Sequence, residues 1–157
     1  MSADLRFTET ASALGYSFAG EIRVGGNYVS VIRDGTTLYV SGQVPRVENK
    51  IVVTGTVGAE VSLAQAQLAA KVCAMRAVAI LQRELGSLDK VRQLLRITVF
   101  VQSAPGFTQQ SEVADGASEL LHQVFGERGK HTRTSVGVYQ LPKSASVELD
   151  LIASCLG

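Results

Sequence analysis

The chain has 157 residues, of which 46% are hydrophobic and 18% charged, enough for one domain with its own core and too apolar for a disordered segment. Fifteen Lys/Arg stand against 14 Asp/Glu, a formal net charge of +1, so no strong electrostatic pull toward nucleic acid or an anionic membrane is expected. No secretory signal opens the chain and its apolar runs are short, which sets the expectation of a cytoplasmic protein with no membrane partner.

In chain order, residues 4–14 fit a short helix with Leu5, Ala11 and Leu14 as its apolar contacts. Tyr28–Arg33 and Thr37–Ser41 flank Asp34-Gly35, a hairpin turn signal. Ile51–Thr54 reads as a third strand. Ser62 is placed to cap a long helix with Gln65 in the capping-box position, and Leu63, Ala66, Ala70, Cys73, Ala77, Ile80 and Leu81 follow at helical spacing until Gly86. Val91 to Gln102 alternates as a strand, with Leu95, Ile97, Val99 and Val101 on one side and Arg96, Thr98 and Phe100 on the other. A second helix is expected from Gln109 to Val124, ended by Gly126, followed by strands Thr132–Gln140 and Ser146–Ser154.

This order predicts an α+β domain, a six-stranded mixed sheet with two helices on one face. The other face keeps Phe100, Val136, Val138 and Ile152, and an uncovered apolar face implies association between copies.

The final pair of strands carries the chemistry. Arg133 opens the first and Glu148 sits early in the second, and an ion in a half-buried strand is costly without a partner. A hairpin turning at Pro142 to Ser146 would set Glu148 opposite Tyr139 and leave Arg133 on the order of 20 Å away at strand rise. Two copies meeting at their edges would then be needed to bring both groups to one ligand. Arg133 offers a planar fork for a carboxylate and Glu148 a base for water, although a plain salt bridge or a solvated edge explains either residue.

Tyr28, Ser41 and Gly42 are further candidates, weighed against packing and strand-end hydrogen bonding. His131, beside Arg133, has the chemistry to titrate or to hold an anion. Two histidines far apart in sequence make no metal pair. Cys73 and Cys155 form no CxxC motif, and no phosphate loop, dinucleotide fingerprint or nucleophile elbow occurs. A site free of cofactor and metal is the expectation.

Three blocks together resemble the RidA/YjgF family, also called the endoribonuclease L-PSP family: Gly26 to Val29 with Leu38 to Pro45, then Ile97 to Val101, then Arg133 through Leu141-Pro142-Lys143 to Val147-Glu148. The resemblance spans Gly26 to Ala153, leaving residues 1–25 as an N-terminal extension of a single domain, 1–157. It implies a chorismate-mutase-like fold assembled as a trimeric barrel, with clefts between subunits. It also implies hydrolysis of 2-imino or enamine acids of the 2-aminoacrylate type to 2-keto acids and ammonia. By position, Arg133 would hold the substrate carboxylate and Glu148 would place the water. Tyr28 and Ser41 would line the cleft, and backbone groups near Gly42 and Ser135 would hold the imine end. His131 replaces the Pro or Ala usual two residues before the arginine, Thr134-Ser135 follows where active members often carry Ser-Cys, and the Gly116-Ala117-Ser118 and Phe125-Gly126-Glu127 pieces resemble a divergent subgroup. The alternatives are a regulatory module that binds a small carboxylate and, from the family label, an endoribonuclease.

Overall fold

A computed structural model describes all residues, 1–157. The chain begins with helix α1 (Ala3–Leu14), capped by the Ser2 hydroxyl and stopped by Gly15 in the left-handed region. Ala3 and Phe7 are its buried contacts, with Ala11 and Leu14 packed partly against the core, whereas Leu5, expected inside, faces solvent. Strands β1 (Val31–Asp34) and β2 (Thr37–Gln43) form the expected hairpin, with Asp34 opposite Thr37. The expected third strand does not join the sheet. Arg46–Val47 (β3) and Lys50–Ile51 (β4) make a separate two-stranded ribbon instead.

Helix α2 (Leu63–Leu85) begins with the full capping box of Ser62 and Gln65 and ends at Gly86, as the sequence indicated. It is long and apolar enough to cross a membrane by composition, but 67% of its most apolar window is buried inside the protein. It is the core helix of a globular fold. Its alanines let it lie close to the sheet, and each Val or Leu fully buried there contributes about 1.5–3 kcal/mol.

Strand β5 (Val91–Gln102) keeps the predicted span, and Ile97, Val99 and Val101 share its buried side as predicted, but Leu95 does not join them. Irregular pairing with β7 (Val147–Cys155) between Leu94 and Arg96 shifts the alternation by one residue, so Leu94 is buried and Leu95 exposed. Helix α3 (Gln110–Phe125) leads to the edge strand β6 (Thr132–Val138), which pairs with β5 in parallel.

The sheet order is β1-β2-β7-β5-β6, five strands and not six, while the three expected helices all form. The expected final hairpin is absent, because β5 lies between β6 and β7. Its cause is the β5–α3–β6 crossover, the connection that parallel neighbours require. Phe100 pairs with both Glu148 and Val136, while Ile97 pairs with both Arg133 and Leu151.

Ile97 and Leu151 point into the core beneath the helices, and so does the row that contains Arg133. Glu148, Asp150 and Ile152 alternate with fully buried neighbours and face the other way. Arg133 and Glu148 therefore lie two strands apart on opposite faces of the sheet. The helix-free face carries Ile32, Tyr39, Ile152, Phe100 and Val136 among polar residues; Ile32, Tyr39 and Val136 are exposed.

Candidate functional site

Glu148 leaves β7 on the helix-free face and lies over Gly42, where β2 bulges between Val40 and Gln43. A Cβ on Gly42 would stand 2.7 Å from Glu148 Oε2, so glycine is what allows the carboxylate to rest there. Glu148 makes no hydrogen bond or ion pair within the chain. Burial raises its pKa above the ordinary glutamate range, and the charge of Asp150 on the same face adds to the rise. A carboxylate with those properties is a base that accepts a proton near neutrality more readily than a solvated one.

A cleft of about 270 Å³ opens beside it, lined by Tyr28, Gly42, Glu148 and the cations Arg46, Arg76 and Lys143, among others. The loop that carries Lys143 is tied down by the buried Gln102. Gln102 accepts a hydrogen bond from the Leu141 amide (2.8 Å) and donates to the Ser144 hydroxyl (3.2 Å). Lys143 and Ser144 both sit at φ 56°, a conformation rare outside glycine and held here by that anchoring. The Ser41 hydroxyl is committed to the Val29 carbonyl at 2.7 Å, pinning the segment that leads from Tyr28 into β1.

Arg133, Ser135 and His131 lie elsewhere, at the junction of β6 and α3. The expectation of an arginine left unneutralised by its own chain is not met. Arg133 Nη1 donates to Asp115 Oδ1 (2.8 Å) and Ser118 Oγ (3.0 Å), and Nη2 donates to the hydroxyl and carbonyl of Ser111. Only the Nε edge is open. The Arg133 side chain is 21% exposed and that of Asp115 53%, so the pair is screened on the aspartate side. The Ser135 hydroxyl bonds to no group of the chain.

His131 continues this network. Its Nδ1 lies 2.6 Å from the Gly129 carbonyl and must donate to it, which leaves Nε2 to accept from the Ser118 hydroxyl at 2.9 Å. With the imidazole neutral, the form that its lowered pKa favours, Arg133, Ser118, His131 and Gly129 make a one-way chain of donors. Burial lowers the His131 pKa, and the neighbouring charges of His122 and Arg133 lower it further. The two histidines, read as distant from the sequence, in fact stack with ring centroids 5.6 Å apart.

The structure thus joins Tyr28, Gly42 and Glu148 in one cleft, with Ser41 bracing its wall, and gathers Arg133, Ser135 and His131 at the opposite edge. Sequence reasoning passed over Arg76. Its signal was available: position 76 falls three residues after Cys73 and one before Ala77, on the arc that α2 buries, where a cation is out of place.

A family model described as "YjgF/chorismate mutase-like, putative endoribonuclease" matches residues 2–154. The chain belongs to this YjgF/RidA-type family. It is 46% identical over 127 residues to Protein TCP17 of Trypanosoma cruzi, covering 80% of this chain and 79% of that protein. The crystal structure of Atu1372, a protein of unknown function from Agrobacterium tumefaciens, superimposes with a TM-score of 0.88 at 40% identity, covering 98% of this chain and 95% of that one. Escherichia coli TdcF, whose structure holds bound serine, shares the fold with a TM-score of 0.60 at 22% identity, covering 89% of this chain and 96% of that one.

Proposed function

We propose that this protein is a cofactor-free deaminase that hydrolyses 2-imino or enamine acids to 2-keto acids and ammonia. The observation that carries the reading is Glu148: an unpaired, partly buried carboxylate with a raised pKa, resting on Gly42 at the wall of a cleft rich in cations. The imine carbon is already electrophilic, so a held substrate and one oriented water supply most of what the reaction needs. Glu148 takes a proton from that water as it attacks. An enamine reacts as its imine tautomer, a proton having moved from nitrogen to Cβ; water adds to the imine carbon, the nitrogen takes up the proton that Glu148 removed, and the carbinolamine expels ammonia as its hydroxyl proton passes to nitrogen, leaving the keto acid.

The open sheet face with Ile32, Tyr39, Val136 and Phe100 supports assembly into a homotrimer. Arg133, Ser135 and His131 of one copy would then approach the Tyr28–Glu148 cleft of its neighbour. Arg133 would meet a substrate carboxylate with its free Nε edge, or with its terminal nitrogens after displacing the half-exposed Asp115. TdcF, a relative in fold with bound serine, supports a small amino-acid-like ligand. Two free, buried thiols suit a reducing compartment, and we place the activity in the cytoplasm.

One observation favours a second reading, a module that binds a small carboxylate without turnover. The Arg133 fork is already filled by α3, which suits a structural role for that residue. Ammonia release from imines formed in situ by an amino-acid oxidase separates the two. Turnover that collapses in Glu148→Gln supports the deaminase, and the absence of turnover in the wild type refutes it.

A further inference from the structure

The cleft carries more positive charge than one carboxylate can balance. Arg46, Arg76 and Lys143 line it with Glu148, and none of the three has a carboxylate partner within ion-pair reach. Three cations against one anion leave two positive charges over. Arg23, also on the lining, is paired with Glu21. The exposed Glu48 borders the adjoining outer hollow with Arg46 and Arg76 but forms an ion pair with neither.

Arg76 is the telling member. It is 6% exposed, on the buried arc of a helix where an apolar residue would pack without cost. A desolvated guanidinium with no counter-charge is an expensive thing to keep. Its Nε donates to Gln43 Oε1 (3.1 Å) and its Nη1 to the Arg46 carbonyl (2.9 Å), both neutral acceptors. These two bonds fix the plane of the fork. Nη2 bonds to no group of the chain and keeps its donors unspent. Arg46 presents a second guanidinium there with no partner of its own. Lys143 lines the same cleft from the Gln102-anchored loop.

We propose that the cleft takes a 2-oxo or 2-imino acid whose side chain carries a second anionic group, a carboxylate or a phosphate, received by Arg76 Nη2 together with Arg46. The assignment of the reacting carbon to the Glu148 end rests on the deaminase reading; the binding of the second anion does not. An anion there would give the buried guanidinium the counter-charge that the chain withholds, and charge-assisted bonds of this kind discriminate strongly against a ligand that lacks the group.

The test compares 2-oxoglutarate with 2-oxopentanoate, which has the same carbon count and one carboxylate fewer, by titration calorimetry on the full chain. Phosphohydroxypyruvate forms the phosphate arm, and inorganic phosphate the control for a bare anion. The wild type is expected to bind 2-oxoglutarate or phosphohydroxypyruvate about tenfold or more tightly than 2-oxopentanoate, the ratio one charge-assisted bond supports. Whichever is tighter identifies the second group. In Arg76→Met the ratio should fall to about one, and in Arg76→Lys it should partly return. If Arg76→Met does not fold by circular dichroism, the double variant Arg46→Gln/Lys143→Gln, at two positions that are not buried, is expected to lose the preference in its place.

Equal affinities in the wild type, or a preference that survives these substitutions, overturn the proposal. Because binding is read without turnover, a preference with no ammonia release would sink the deaminase and keep the dianion site. Ammonia release with no preference would do the reverse.

Discussion

Gly42→Ala tests whether the placement of Glu148 matters. The new methyl group would lie 2.7 Å from Oε2, 3.0 Å from Cδ and 3.3 Å from Cγ of Glu148, where ordinary contact begins at 3.4 Å. The carboxylate must therefore retreat by about 0.7 Å or change rotamer to relieve the closest contact. Gly42 is not in the positive-φ region, so alanine suits the backbone. The obstructing atoms are the end of a flexible side chain, and the fold should change by no more than about 1 kcal/mol. Catalysis should suffer far more, since displacing a reacting group by about 1 Å costs on the order of a hundredfold. The assay is kcat for ammonia release beside a thermal melt. The expected result is a loss of tens-fold or more in kcat with the melting temperature held within a few degrees. Adding Gly42→Ala to Glu148→Gln should then cost little further, because the group it displaces is already disabled. Wild-type kcat in Gly42→Ala would refute the reasoning.

Other outcomes follow from the same geometry. Arg133→Ala should destabilise the fold by about 1 kcal/mol, since its ionic partner is half solvated. Asp115→Ala should destabilise to a similar degree while leaving ammonia release intact if Arg133 serves a ligand, and equal losses of activity in the two variants would reduce Arg133 to a strut for α3. The folded-state pKa of His131 is lowered, so the stability its neutral form provides is complete above the ordinary histidine range near pH 6.5 and declines as the pH falls toward the folded value. Melts from pH 8 to 5 should show that decline, and His131→Asn should flatten it. Glu148 has the opposite sign: its raised pKa means its charge opposes folding as the pH rises through the folded value, so Glu148→Gln should melt higher than wild type at pH 7 and not at pH 4. Light scattering should give three times the chain mass, and Ile32→Lys/Val136→Lys on the open face should give monomers; a monomeric wild type would remove the assembled cleft.

Legibility in the sequence tracked how local each determinant was. The Ser62–Gln65 capping box, the Gly86 and Gly126 stops and the Asp34-Gly35 turn are decided by a few neighbouring residues, and each is where the pattern put it. The pairing of β6 was misread because Pro142 to Ser146 looks like a hairpin connection. The decisive fact was the helix on the other side of β6, which makes β5 and β6 parallel neighbours and leaves room for β7 beyond β5. Leu95 was misplaced because an irregularity of one residue resets a period of two.

The site was half legible. Tyr28, Gly42 and Glu148 meet in one cleft although they are far apart in sequence. The partners of Arg133 come from three residues of α3, Ser111, Asp115 and Ser118, and no spacing rule ties them to a strand that begins at Thr132. Arg76 was hidden by its surroundings: an Ala-rich helix reads as pure packing, and the one cation on its buried arc was the clue.

The central claim is that Glu148 turns water on an imine in this cleft. Ammonia release should be measured for wild type and Glu148→Gln with the same in situ imine, at equal folded concentration. A fall of about a hundredfold or more in kcat for the variant, the usual worth of a positioned general base, is the expected result. Equal rates, or no release above the uncatalysed background from either protein, would contradict it.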